Sequence, residues 1–189
     1  MGIRHERNVS STLDQFIEEV GSAWGGGDDP SFPFKVQAFM ERFIAASRPD
    51  EAWLARLIQE ARPGRELYRD PERGFILMGH IHKAGHHSPP HDHGPCWVVY
   101  GVGQGAIEIT TYRRTDDGRA PGKATLEERE RAQLTVGVVK PYLPGEIHAT
   151  RAIDPDPSLV FRFLSTDLDQ VERYRYDLET GTVTRHPGR

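Results

Sequence analysis

The spacing of apolar residues changes near residue 66 of this 189-residue chain, and this change limits the fold more than any other feature. Before it, apolar side chains recur every three or four positions, which is typical of amphipathic helices. After it, apolar and polar residues alternate in short segments bounded by Gly, Pro or Asp, which indicates strands. We therefore predict a mainly β, α+β chain, in which a helical segment, residues 1–66, packs on a β-barrel formed by residues 67–189.

Three helices and six strands follow from this pattern. The helical stripes cover residues 13–24, 36–44 and 53–61, and the predicted strands cover residues 74–82, 96–103, 106–113, 134–140, 149–153 and 159–164. Ser10, Ser11 or Thr12 is placed to cap the first helix, because each side chain offers an oxygen to a free backbone N–H. The charged stretch 127–131 fits either a solvated loop or an edge strand.

The composition argues against several classes of function. Hydrophobic residues make up 37% of the chain and charged residues 28%, with a net charge of −4, so no basic stripe points to nucleic acid. The single cysteine, Cys96, excludes an intrachain disulfide framework and favours a reducing compartment. Acidic residues interrupt the apolar positions near the N-terminus, and no apolar run is long enough for a transmembrane helix. We expect a soluble, cytoplasmic protein without nucleic-acid or membrane partners.

Histidines are concentrated in one stretch, since six of the nine lie between His80 and His93. Residues two apart on a strand share a face, so His91 and His93 can reach one ion together. A solvated loop would also explain this pair, but His148, at the end of a tight Pro-Gly turn, supplies a third imidazole. We predict one divalent transition-metal site formed by His91, His93 and His148, because imidazole suits iron, zinc, copper or nickel better than magnesium or calcium.

The spacing of these residues resembles the two motifs of the cupin family. Gly85, with five residues between it and His91-x-His93, and Gly105, twelve residues after the pair, are similar to the first motif. Gly145-Glu146-Ile147-His148 is similar to the second. The resemblance implies a double-stranded β-helix, the jelly-roll barrel of the cupins, with the metal held inside it.

Within the cupins, residues 65–165 resemble the thiol dioxygenases, a group that includes cysteine dioxygenase. The similarity lies in Tyr68-Arg69-Asp70-Pro71, in a strand led by Phe75, and in the aromatic-rich strand after His93. It implies a mononuclear non-haem Fe(II) enzyme that uses O₂ to oxidise a small thiol or mercapto-acid to a sulfinate. It also implies that an arginine before the histidine pair holds the substrate carboxylate, and Arg69 is the first candidate for that position.

Three features depart from that family. Most cupins have a glutamate ligand where this chain has Trp97 or Val98, so only three imidazoles are available. Thiol dioxygenases have Ser-x-His-x-Tyr on a late strand, and residues 160–164 contain none of the three. Cys96 follows His93 by three residues, where the family cysteine follows by five. Three imidazoles favour an anionic bidentate ligand plus O₂, but they are equally the pattern of a zinc site with bound water.

Four further residues are candidates for the site. Arg162 interrupts an apolar strand, and a buried arginine needs an anionic partner, either the ligand or an acid such as Glu108. His82 lies on a strand face that is either the cavity or the outer surface. Tyr100 is a candidate to replace the late-strand tyrosine. Cys96 faces away from the ligands by strand parity, as a small buried side chain or a neighbour of the site.

Two classes of function remain open. The first is an iron dioxygenase whose partners are a small anionic substrate and O₂. The second is a cupin that binds a small ligand without turnover, or one that uses zinc for hydrolysis, so that Zn or Ni takes the place of Fe(II). A homodimer is compatible with either class.

Overall fold

The computed structural model describes residues 11–25 and 29–188. Its helices are α1 (Thr12–Ala23), α2 (Phe32–Ala46) and α3 (Ala52–Glu60). Its strands are β1 (Arg65–Arg69), β2 (Ile76–His82), β3 (His87–His91), β4 (Val98–Gln104), β5 (Ala106–Arg114), β6 (Leu126–Thr135), β7 (Val139–Tyr142), β8 (Ile147–Ala152), β9 (Ser158–Leu164), β10 (Arg173–Asp177) and β11 (Thr182–His186). A short 3-10 helix, Leu168–Gln170, joins β9 to β10.

The three predicted helices are confirmed, each at its apolar stripe. α1 begins after Ser11, whose Oγ accepts a hydrogen bond from the Asp14 N–H at 3.1 Å, while the Asp14 carboxylate accepts one from the Ser11 N–H at 3.2 Å. This capping box identifies Ser11, not Thr12, as the cap, and Ser10 lies outside the described residues. Within those residues, no helix is long and apolar enough to cross a membrane.

The strands form two antiparallel sheets. One has the order β1-β2-β9-β4-β7, and the other has the order β11-β10-β3-β8-β5-β6. Strands β2 to β9 therefore form two four-stranded halves, 2-9-4-7 and 3-8-5-6, which is the order of a jelly roll made from two Greek keys. This is the double-stranded β-helix, and it confirms the predicted fold class. β1 extends one sheet, and β10 and β11 extend the other.

Two apolar layers hold the helices and the barrel together. One lies between the three helices and the five-stranded sheet, and the other lies between the two sheets, inside the barrel. Alternation along β9 sends Phe161 and Phe163 into the helical layer and Val160 and Leu164 into the barrel. Arg162 has the parity of Val160 and Leu164, so its side chain also enters the barrel.

The strands without a clear counterpart in the sequence prediction are β1, β3, most of β6, β10 and β11. Residues 134–140, predicted as one strand, contain the end of β6, a turn and the start of β7. The charged stretch 127–131 is the middle of β6, which is the edge of its sheet and pairs there with β5. β3 carries no apolar alternation, and β10 and β11 carry it only in Tyr174, Tyr176 and Val183, which join a small apolar cluster with Ile147. Backbone pairing with neighbouring strands therefore defines β3 without burial of an apolar face.

Candidate metal centre

Two strands and one turn bring the three predicted histidines together inside the barrel. His91 ends β3, and its register partner on β8 is His148; His93 follows in the next turn. The ring centroids are 4.9 Å apart for His91 and His93, 4.8 Å for His91 and His148, and 5.0 Å for His93 and His148. One nitrogen from each ring lies within 4.8 Å of the others, so the three side chains could hold one ion together.

An unsatisfied nitrogen of this triangle fits a bound metal. His93 Nε2 is buried and has no hydrogen-bond partner among the described residues. A buried polar atom without a partner costs free energy, and a metal ion or another ligand relieves that cost. Among the described residues, the group contains histidines alone, with no carboxylate or thiolate. Three imidazoles are a donor set that suits iron, zinc or nickel.

The surroundings keep the three imidazoles neutral. Burial lowers the pKa of His91, and it lowers the pKa values of His93 and His148 well below the usual 6.5. His91 Nδ1 lies 2.8 Å from the Pro89 carbonyl oxygen, so Nδ1 carries the proton and donates it, and Nε2 keeps its lone pair. Neutral rings leave the charge of a divalent ion uncompensated, and that charge attracts an anionic ligand.

Asp92 holds the turn between the first two ligands. Because β3 ends at His91, strand parity does not place the second ligand, and a set of hydrogen bonds does so instead. One Asp92 oxygen accepts bonds from the Gly94 N–H at 2.9 Å and the Tyr174 N–H at 3.1 Å, and the other accepts one from the Tyr176 hydroxyl at 3.0 Å. The carboxylate therefore ties the ligand turn to β10.

A cavity of about 230 Å³ opens beside the triangle. Its lining includes His91 and His93 together with three arginines, Arg162 from β9 and Arg173 and Arg175 from β10. Pockets for drug-sized molecules are larger, about 300–1,000 Å³. The size and the charge of the cavity therefore suit a small anion.

Arg162 and Tyr100 stand side by side at the triangle. They are register partners on β9 and β4, and the Arg162 Nε is buried without a hydrogen-bond partner among the residues that the structure describes. The Tyr100 hydroxyl lies 3.4 Å from His148 Nε2 and also interacts with Arg162. Burial raises the pKa of Tyr100, so the phenol is protonated at neutral pH and can donate a hydrogen bond.

The expectation that Glu108 could pair with Arg162 is wrong. Ile107 and Ile109 face the barrel interior, so Glu108 between them points to the outer face of the sheet. There it accepts a hydrogen bond from Arg151 at 2.9 Å. Glu108 is therefore not an acidic partner of Arg162, and the buried Nε of Arg162 stays available to a ligand.

Arg69, the other predicted carboxylate binder, lies outside the cavity lining. Its guanidinium pairs with Glu66 at 2.7 Å and with Asp167 at 2.6 Å, and its side chain is 43% exposed. The hydrogen bonds that the guanidinium donates to these two carboxylates raise the pKa of Arg69. The structure thus brings Arg162, and not Arg69, to the histidine triangle.

His82 and Cys96 face the barrel interior but do not line this cavity. The His82 ring stacks on His86 with centroids 4.1 Å apart, and burial lowers the pKa of His82 to about 4. Cys96 packs in the interior layer, where its Sγ accepts a hydrogen bond from the Ser165 hydroxyl at 3.3 Å. The parity argument that placed Cys96 opposite the ligands is wrong, because residues 92–97 form a turn and not a regular strand.

Arg173 and Arg175 are not among the residues predicted from the sequence. They alternate with Tyr174 and Tyr176, and this period of two indicates a strand with both arginines on one face. That alternation was the available signal. It does not indicate that the strand pairs with β3 beside His91, which is a contact between distant parts of the chain.

Comparisons with known proteins find distant structural likenesses. No family model and no curated protein matches the chain. Among solved structures, the cupin domain of Schizosaccharomyces pombe Cnp3 is 15% identical, with a TM-score of 0.43 over 55% of this chain and 60% of that one, less than two thirds of its length. KdgF from a Halomonas species is 18% identical, with a TM-score of 0.41 over 55% and 78%. A cupin superfamily protein from Desulfitobacterium hafniense is 14% identical, with a TM-score of 0.40 over 55% and 76%.

These likenesses are too distant to indicate a function, and they do not point to thiol dioxygenases in particular. The strand order and the histidine triangle instead define the class: a protein with the cupin fold and a candidate mononuclear metal centre inside its barrel. Because this fold hosts many chemistries, its function has to be argued from the site.

Proposed function

We propose that this protein is a mononuclear non-haem iron dioxygenase that oxidises a small thiol-bearing acid to a sulfinate. The observation that carries the proposal is the pairing of three neutral imidazoles, without a carboxylate ligand, with Arg162, whose Nε is buried and which has no acidic partner among the described residues. A three-histidine site keeps the charge of Fe(II) for an anionic ligand such as a thiolate. Arg162 then binds the carboxylate of the same molecule, since a guanidinium fork matches a carboxylate.

The overall reaction is R–SH + O₂ → R–SO₂H. Both oxygen atoms are transferred to sulfur, which loses four electrons to O₂, and the sulfinic acid then releases its proton at neutral pH. Bound Fe(II) would supply the charge that stabilises the thiolate and the redox chemistry that O₂ requires. The chain itself contributes orientation, because Arg162 lies next to the triangle on the interior face of β9.

Tyr100 supports this proposal as the replacement for the late-strand tyrosine that the thiol dioxygenases have. It projects from β4, directly opposite Arg162, and its hydroxyl is 3.4 Å from His148 Nε2. As a protonated phenol it can donate a hydrogen bond to an oxygen atom that develops negative charge beside the triangle. The same hydroxyl also positions Arg162.

The test is oxygen uptake by protein loaded anaerobically with Fe(II) and offered cysteine, 3-mercaptopropionate, cysteamine and larger mercapto-acids. We expect uptake with an acidic thiol and one sulfinate formed for each O₂ consumed. No uptake with any thiol, despite one iron per chain, would contradict the proposal. Activity restored by Zn(II) on a hydrolysable acid would favour the zinc alternative.

Replacing Arg162 with methionine is expected to raise the KM for an acidic thiol by about tenfold or more, because a charge-assisted hydrogen bond to a carboxylate is lost. Methionine keeps the interior filled. Arg69→Met is the matched control, since Arg69 is held by two carboxylates outside the cavity, and its KM should not change. The opposite result, a raised KM for Arg69→Met alone, would assign the substrate carboxylate to Arg69. Both KM values come from the oxygen-uptake assay.

A further inference from the structure

The two arginines of β10 point to a narrower substrate class, and this inference rests on the proposed function. We propose that the substrate carries a second carboxylate, which Arg173 and Arg175 bind at the mouth of the cavity while Arg162 binds the first. The substrate is then a small dicarboxylic acid that also bears the thiol. Neither arginine is needed for a thiol with a single carboxylate, so they are the feature that distinguishes the two substrate classes.

The strand pairing directs both arginines toward the site. Arg175 lies opposite His91 in the register of β10 and β3, so the two side chains project from the same face. Arg173, two residues earlier, shares that face, and its Nη1 donates a hydrogen bond to the Leu168 carbonyl oxygen at 2.7 Å. This bond restrains the Arg173 side chain beside the cavity. Both arginines line the cavity together with Arg162.

The charge balance of the cavity also favours a substrate with more than one carboxylate. In the described part of the chain, most other arginines pair with acids, as Arg69, Arg114 and Arg185 do. No salt bridge joins Arg162, Arg173 or Arg175 to a described residue.

The acid in the cavity lining is Asp92, whose two oxygens accept the three hydrogen bonds that hold the ligand turn. One substrate carboxylate would satisfy one guanidinium and leave two cations close to a divalent ion. A second carboxylate pairs with these two remaining guanidinium groups, and this lowers the repulsion between like charges at the mouth of the cavity.

Binding of two acids to the Zn(II)-loaded protein tests the proposal without turnover. Succinate and butyrate have the same chain length and differ by one carboxylate. By isothermal titration calorimetry, we expect succinate to bind about tenfold more tightly or better, with an affinity that falls as salt is added. Arg175→Met should remove most of this preference and leave butyrate binding unchanged. Arg119→Met is the charge-matched control, because Arg119 is 88% exposed and lies outside the cavity lining.

Equal affinities for succinate and butyrate, or an unchanged preference in Arg175→Met, would overturn the proposal. Oxygen uptake with mercaptosuccinate and 3-mercaptopropionate, which also differ by one carboxylate, separates it from the proposed function. A succinate preference that depends on Arg175, without uptake from either thiol, keeps the dicarboxylate site and rejects the dioxygenase. Uptake from both thiols with equal KM values keeps the dioxygenase and rejects the dicarboxylate site.

Discussion

His91→Ala is expected to weaken metal binding by about 100-fold or more, because structural metal sites derive about 10–16 kcal/mol from their full ligand set and this variant loses one of three ligands. The remaining pair, His93 and His148, offers two ligand atoms in place of three. After dialysis against trace metal, the variant should keep little iron or zinc. The rise in melting temperature that metal causes in the unchanged protein should also disappear.

His87→Ala is the matched control for this prediction. His87 is on the same strand, β3, but its side chain is exposed and its register partner, Arg151, points to the outer face of the sheet. Metal content and metal-induced stabilisation should therefore equal those of the unchanged protein. A His91→Ala variant that retains one metal per chain would contradict the assignment of the triangle, whereas a loss of metal in both variants would indicate a general defect of β3.

Gly94→Ala is expected to lower the free energy of unfolding by about 3–5 kcal/mol. Two costs add up here: alanine is held in the left-handed backbone conformation, and its Cβ clashes in a packed region. Gly94 has φ +58°, and a Cβ there would lie 2.0 Å from the Glu172 carbonyl oxygen. Its own carbonyl accepts a hydrogen bond from the Gly145 N–H at 2.9 Å, which links the turn of His93 to the turn before His148. The backbone therefore has to move at the centre of the ligand set.

Thermal unfolding of the metal-free protein measures this effect, with Gly85→Ala as the control. Gly85 also has a positive φ, +76°, but a Cβ there meets nothing within 4 Å, so only the conformational cost of about 1–2 kcal/mol applies. We expect the melting temperature to fall by about 10 °C or more for Gly94→Ala and by a few degrees for Gly85→Ala. Equal decreases would mean that the contact with Glu172 does not constrain the turn.

The parts of the structure that the sequence predicts well are those that depend on patterns between residues close together in the chain. The helical stripes are repeated over more than two turns, so α1, α2 and α3 follow from local amphipathicity alone. The same is true of β2, β4, β5 and β9, where an apolar face recurs every second residue. Imidazoles at positions 91 and 93, and at 148 after a Pro-Gly turn, are also local features. The resemblance to cupins rests on them, and the structure brings their rings to within 5.0 Å of one another.

Local patterns fail where the backbone leaves regular structure or where a strand has no buried face. Parity places Cys96 on the wrong side because a turn separates it from β3. The charged sequence of β6 does not indicate a strand, since its pairing with β5 requires no apolar alternation. The alternation of arginine and tyrosine in β10 indicates a strand, but it does not indicate the pairing with β3 that brings Arg173 and Arg175 to the site.

By itself, the sequence determined the helical and strand-forming segments, the three imidazoles and the absence of a glutamate ligand beside them, because each of these depends on residues close together in the chain. The tertiary structure alone decided which charged side chains reach the site. Arg69 and Arg162 look alike as candidates in the sequence, but pairing with Glu66 and Asp167 holds one outside, and the alternation of β9 turns the other inward. Arg175 reaches His91 only because β10 pairs with β3 across more than eighty residues of chain. Such pairings are set by long-range backbone hydrogen bonds, which leave no local mark on the sequence.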